Sequence, residues 1–220
     1  MCFSAEASFG ASALLGTIGV FCYKKASTSP QKMLAFFPLL FSFQQFAEGM
    51  LWISIENNML LIGSIAKYIF IIIALAVWPL IVPLTVYRLE QSGTRKKMLL
   101  PILLVGSFTC LYLGVCIAVL DFRAEIDCYH INYVMNFPFA NPLTVAIFYV
   151  VPVLLSLLMS SVKKLPLLGI LAAISIIVAM VFYTKYAISV WCFFSAIMSS
   201  EILLVIYRMN DQSQNIAKKS

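Results

Sequence analysis

In the second apolar segment, Gln44, Gln45, Glu48 and Trp52 recur at spacings of three, four and seven, which places them on one face of a helix. An ionisable side chain inside hydrocarbon costs about 3 kcal/mol on insertion scales, so Glu48 is expected to face a helix bundle and to mark a binding or proton-handling position. A buried carboxylate also calls for a cation. Lys67, at the outer start of the third segment, is the expected partner. The same stripe serves equally as packing glue, with two amides and a carboxyl hydrogen-bonded to neighbouring helices. Pro38 precedes the stripe and removes one backbone hydrogen bond, which predicts a bend there.

A second group of reactive side chains lies at the N-terminus and in the longest loop. Ser4 is placed to cap the first helix, and Glu6 follows within its first turn. With Met1 removed, Cys2 would present an amine and a thiol, a pair able to chelate a metal or act as a nucleophile. The plainer readings are a disulfide or an inert interfacial thiol. His130 is the sole histidine, which excludes bis-histidine haem ligation and three-histidine zinc catalysis. A mixed metal site of Cys2, Glu48 and His130 stays open, as does a surface histidine without a role. None of the six cysteines forms a CxxC pair. In the last segment Glu201 shares a face with Arg208, and Ser199, Ser200 or a neighbouring helix is expected to satisfy it. No Ser-His-Asp, HExxH or P-loop pattern stands in the chain, and the residues leave any cofactor open.

The elements that must position these groups follow from composition. Of 220 residues, 62% are hydrophobic and 11% charged, with a mean hydropathy of +0.98. Soluble domains average about 45–50% apolar and about 25% charged residues. A chain of this size cannot hide such an excess in a core, so its partner is the lipid bilayer. The fold class is therefore an all-α polytopic transmembrane helix bundle. Stretches of roughly 20 apolar residues, the length that crosses about 30 Å of hydrocarbon, fall at 6–23, 33–54, 66–87, 98–120, 142–162, 165–183 and 187–207. Seven spans result, with six as the alternative if one lies in the interface. Ser29-Pro30 and Asn141-Pro142 each place a capping side chain before a proline at a helix start. On the first span Ala5, Ser8, Ser12, Gly16 and Gly19 form a small-residue stripe suited to close packing.

The 15 basic residues set the orientation. Lys67, Arg123 and Lys185 lie on one side, among Glu6, Glu56, Asp121, Glu125 and Asp127. All the others, Lys24 and the Arg95-Lys96-Lys97 run among them, lie on the opposite side. The positive-inside rule then puts the N-terminus outside and the C-terminus inside. This alternation also explains the net charge of +6 without a nucleic-acid partner. The apolar run precedes Lys24 and Lys25, so a retained span is expected rather than a removable signal peptide. Residues 1–208 form one membrane domain, and 209–220 a short polar cytoplasmic tail expected to be disordered. The loop Asp121 to Asn141 is expected to fold back over the bundle mouth. That would cover Val134, Phe137 and Phe139 and bring Cys2 within contact distance of Cys128.

Met1-Cys2-Phe3-Ser4-Ala5 and Gln44-Gln45-Phe46-Ala47-Glu48-Gly49, followed by Trp52, resemble a family of uncharacterised bacterial membrane proteins defined as a domain of unknown function. The resemblance implies a multi-helix protein of the bacterial cytoplasmic membrane and no particular activity. The leading expectation is a protein that binds or transports a small ligand or ion in a polar pocket near the outer face. Its candidate residues are Cys2, Ser4, Gln45, Glu48, Trp52, Lys67 and His130. One alternative is an intramembrane enzyme, with Glu48 or His130 as acid–base and Cys2 as nucleophile. The other is a scaffold or assembly subunit, whose oligomeric state the residues leave open.

Overall fold

The computed structural model describes residues 4–127, 130–138, 141–182, 186, 190–191 and 194–217. Helix α1 (Ala5–Lys25) starts where the Ser4 hydroxyl accepts from Ala7 N at 3.2 Å, and Lys24 and Lys25 sit in its last turn. Helix α2 (Ser29–Glu56) is capped one residue earlier than expected, by Thr28 rather than Ser29, because Thr28 and Gln31 form a reciprocal capping box. The third rod runs unbroken from Leu60 to Leu89 as α3 (Leu60–Ile71), a π-helical segment (Ile72–Val77) and α4 (Trp78–Leu89). Helix α5 (Gly93–Val119) leads to an antiparallel hairpin of β1 (Arg123–Asp127) and β2 (His130–Val134). The fifth rod repeats the pattern of the third, with α6 (Pro142–Val145), a π-helical segment (Ala146–Val150) and α7 (Val151–Leu158). Helices α8 (Leu165–Phe182) and α9 (Ser195–Ala217) complete the bundle.

The result is an all-α bundle whose helical rods correspond to the seven expected segments, with shifted ends. The last rod is displaced most: Ser195–Ala217 where 187–207 was expected. Helix therefore continues through 209–217, the stretch expected to be a disordered tail. Asn210 is held there, accepting from Ser27 Oγ at 3.1 Å and donating to the Lys25 carbonyl, so α1 anchors the extension. The hairpin is the one departure from helix among the described residues. Its alternation of Ile131 and Tyr133 with Asn132 is the period-2 signal of a half-buried strand.

Four rods are long and apolar enough to cross a bilayer: Ala5–Lys25, Leu60–Leu89, Gly93–Val119 and Leu165–Phe182. Leu60 (86%), Val119 (76%), Phe182 (73%) and Leu111 (68%) stand fully on the surface, which fits a lipid-embedded protein. The α2 rod carries Gln44, Gln45 and Glu48, and it resolves that polarity by burial at the centre of the bundle. It lies against α1, where Ser12 Oγ donates to Ser42 O at 2.8 Å and Ser42 Oγ to Ser12 O at 2.7 Å. A Cβ on Gly19 would come within 2.9 Å of Leu39 N, so the small-residue stripe of α1 works as close packing.

Both π-helical segments come just before a proline, Pro79 or Pro152. Proline has no N–H, and its ring crowds the carbonyl one turn earlier, so the helix widens there and leaves carbonyls without a partner. Side chains from other rods take them up. Tyr149 OH donates to Ala74 O, five residues before Pro79. Thr109 Oγ1 donates to Phe148 O, four before Pro152, at 2.6 Å.

The loop after α5 folds back onto the bundle. Phe122, Ile131 and Tyr133 join Leu51, Trp52 and Phe70 in one buried cluster, with Tyr133 stacked on Phe70 at 4.8 Å. Of the residues expected to drive this, Phe137 packs against the cluster while Val134 stays exposed. Strand pleating sends Val134 outward, and the alternate residues fill the core. Phe139, Cys2 and Cys128 lie outside the described residues.

At the opposite end, Glu90 ties two turns together. Its carboxylate accepts from Gln91 N (3.1 Å), Ser92 N (2.9 Å), Ser161 N (2.8 Å) and Ser161 Oγ (2.5 Å). Burial pushes its pKa up, but these hydrogen bonds outweigh burial and hold it below the ordinary value of 4.5. A depressed folded-state pKa contributes stability above the unfolded value and loses it as pH falls through the folded value. Glu90→Gln is therefore expected to cost about 1–3 kcal/mol near neutrality. The deficit should shrink as pH drops below about 4.5, because the parent loses the same contribution. Thermal melts in detergent across pH check this, and a deficit independent of pH would refute it.

Candidate functional site

The α2 stripe is fully buried and internally bonded. Gln45 Nε2 donates to Glu48 Oε2 at 3.2 Å, with Gln45 and Glu48 at 2% and 0% exposure. Gln44 Oε1 accepts from Trp78 Nε1 at 3.2 Å. Trp52 is buried beside them in sequence, and its Nε1 makes no hydrogen bond among the described residues. Opposite, Phe9 of α1 packs on Gly49, and the adjacent Ser8 Oγ is buried without a partner among the described residues. Ser4 acts as the α1 cap.

Lys67 does not supply the expected cation for Glu48. Its Nζ donates to Phe122 O at 2.8 Å and lies over the Phe122 ring at 4.6 Å and the Tyr68 ring at 5.2 Å. The fold-back of the hairpin loop places that carbonyl within reach, an outcome hidden in the sequence because 55 residues separate the pair. The ion pair found among the described residues is Lys164–Glu201 at 3.8 Å, so a lysine rather than the neighbouring serines partners Glu201.

His130 opens β2 opposite Asp127. Its ring stacks on Tyr186 at 4.5 Å, and Tyr186 OH donates to Asp127 Oδ2 at 2.8 Å. The hairpin is thereby latched to the segment between α8 and α9. Burial pushes the His130 pKa below its ordinary value. Among the described residues no three His, Cys, Asp or Glu side chains converge as a metal site, and Cys2 of the mixed set lies outside them.

A cavity of about 560 Å³ opens inside the bundle, and Gln44 is the stripe residue that reaches it. Phe37, Phe41, Trp78, Tyr149 and Trp191 line it, together with Ala74, Leu75 and Phe148 of the two π-helical segments. Phe41 stacks on Trp78 at 4.2 Å, Phe37 meets the same ring edge-on at 5.5 Å, and Tyr149 meets Trp191 edge-on at 6.2 Å. The indole and phenol hydrogens of this wall are spent within the protein. Trp78 donates to Gln44, Tyr149 to Ala74, Tyr112 to Pro138 O at 2.5 Å, and Trp191 to Ser175 Oγ at 2.9 Å. Most of what faces the void is carbon. No carboxylate, histidine, lysine or cysteine stands among the described lining residues. Sequence reasoning missed Phe41, Thr109, Tyr149 and Trp191. The mid-span dipeptides Trp78-Pro79 and Val151-Pro152 were the available signal, since an interior proline marks irregular backbone. A second, open groove of about 360 Å³ lies at the hairpin end, lined in part by Ser54, Asn58, Lys67, Arg123 and Glu125.

Residues 1–219 of the 220 match the model of a family of unknown function (DUF6629). The chain belongs to that family. Its membership agrees with the resemblance carried by the N-terminal and second-span motifs, and the match spans every element that builds the cavity. No curated protein and no solved structure matches the chain.

Proposed function

We propose that this member of the family is an integral protein of a bacterial cytoplasmic membrane, N-terminus outside and C-terminus inside, that binds a small and mostly apolar molecule within its bundle. The basic loops that follow α1, α4 and α7 support the orientation. A green fluorescent protein fused to the C-terminus should fluoresce in cells, and a dark fusion would reverse it. The aromatic cavity carries the ligand reading: its volume suits a small molecule, and its wall is mostly carbon, with its indole and phenol donors already taken up by the protein. Gln45, Glu48 and Trp52 line neither void, which favours an apolar ligand over the polar one that the stripe by itself suggests. The lack of a titratable acid–base pair on the described wall favours binding over catalysis.

The test uses a photoactivatable aryl diazirine on the purified full chain. Labelling at Trp78 and Tyr149 is expected to saturate, while labelling at lipid-facing Leu111 rises linearly. Ala172→Leu, which fills the void from a residue of its wall, should remove the saturable part and leave Leu111 unchanged. Parallel, unsaturable labelling at all these positions would end the proposal.

A further inference from the structure

The aromatic cavity is long rather than round. Its wall follows α8 from Leu168 to Met180, about 18 Å of helix, and the fifth rod over a similar stretch, from Thr144 to Leu157. Spread along that length, a volume of about 560 Å³ gives a bore of roughly 30 Å². A polymethylene chain, whose carbons touch their neighbours at about 4 Å, occupies roughly 20 Å² in section. The bore therefore takes one such chain and not two abreast. Membrane acyl chains cross one leaflet, about 15 Å or half of the hydrocarbon core, so the cavity matches a chain of ordinary length.

The two ends of the cavity differ. Toward Glu90 the wall is Val82, Leu157, Leu168 and Ile202, all aliphatic and none more than 4% exposed, which closes that end. Toward the hairpin, the lining residues Phe108, Val145, Phe148 and Met180 are exposed, Phe108 at 59% and Phe148 at 38%. A residue that lines the void and also stands on the surface makes a wall one side chain thick. The Phe108 and Phe148 rings lie 6.3 Å apart across the seam between α5 and the fifth rod. Phe108 continues the exposed apolar stripe of Leu104, Leu111 and Val115, so this thin wall faces acyl chains.

We propose that the cavity takes the hydrocarbon tail of a single-chain amphiphile, a fatty acid or a lysophospholipid, which enters from the bilayer past Phe108 and Phe148. This rests on the reading that the cavity holds an apolar molecule, and it names the class. The terminal methyl lies among Val82, Leu157, Leu168 and Ile202, and the mid-chain runs between Trp78 and Tyr149. The polar head stays at the hairpin end, at the level of Tyr112, Thr144 and Met180. No charged side chain stands among the described lining residues, and a charge carried into hydrocarbon costs about 3 kcal/mol on insertion scales, so the head does not follow the tail inward.

The test uses three palmitic acids carrying a diazirine near the carboxyl, at mid-chain or near the terminal methyl. Each is photolysed with the full chain in digitonin, a steroid-based detergent with no free alkyl chain to compete, and the labelled residues are mapped by mass spectrometry. Labelling should saturate, and its site should move with the diazirine: first Tyr112, Thr144 and Met180, then Trp78 and Tyr149, then Leu157, Leu168 and Ile202. The same residues labelled by all three probes, or the reverse order, would overturn the proposal. Unlabelled palmitate or palmitoyl lysophosphatidylglycerol should displace the probes, and the one effective at the lower concentration identifies the head. Displacement by neither, or equally well by a two-chain phosphatidylglycerol, would also overturn it. An aryl diazirine that saturates at Trp78 and Tyr149 while the acyl probes saturate nowhere would sink the single-chain ligand alone and leave a compact one. Saturation by neither kind of probe would sink both readings.

Discussion

Gly106→Ala is expected to collapse the folded fraction of the protein in detergent. A Cβ at position 106 of α5 would lie 2.0 Å from the Pro79 carbonyl oxygen and 3.1 Å from its carbon. Backbone rather than a flexible side chain is in the way, so one of the two longest apolar rods must move. Overpacking usually costs about 1–3 kcal/mol, and a clash with main chain belongs at or above the upper end. The contact falls at the proline after the first π-helical segment, so displacement would also open the cavity wall at Ala74 and Leu75. Gly114 lies on the same helix with nothing within 4 Å of its Cβ position. Gly114→Ala should therefore be neutral or gain up to about 1 kcal/mol from helix propensity. Size-exclusion profiles after a heating series measure both. A Gly106→Ala protein as heat-stable as Gly114→Ala would mean that the rods do not cross this closely.

Tyr149→Phe and Thr109→Val should be the next most costly, each at about 1–3 kcal/mol for an orphaned buried acceptor. Hydrogen bonds between membrane helices average only about 0.6 kcal/mol, because freed groups usually find other partners. Ala74 O and Phe148 O are different: the proline that follows each has removed the backbone donor that would take over. Pro79→Ala restores an N–H one helical turn after Ala74, so in that background Tyr149→Phe should lose most of its cost. Pro152→Ala should likewise rescue Thr109→Val. A double-mutant cycle from thermal midpoints reports this coupling. Strict additivity would show that the hydroxyls are not substituting for the missing donors.

These two expectations rest on features that differ in how far they could be read in advance. The helix count, the burial of the Gln44–Glu48 face and the close packing of α1 were legible because each depends on local periodicity: apolar length, a spacing of three and four, a row of small residues. The alternating basic loops were legible for the same reason, since charge is counted per segment. Even the hairpin left a trace, in Ile131 and Tyr133 at period two.

The partners of the polar groups were not legible. Lys67 looked like the cation for Glu48 by depth in the membrane, yet the hairpin brings the Phe122 carbonyl to it. Nothing in the sequence singled out Glu90, whose partner Ser161 stands 71 residues away. The cavity depended still more on three dimensions: its wall draws on α2, α4, α5, α8 and both π-helical segments, which belong to five different rods of the bundle. The physical reason is common to all three cases. Partition into lipid and helix periodicity act on each segment separately, so composition and spacing determine which stretches become rods and which faces turn inward. A void, a shared carbonyl or a cation's partner is set by how rods cross, and that depends on single residues such as Gly106 against Pro79, whose proximity only the packed bundle decides.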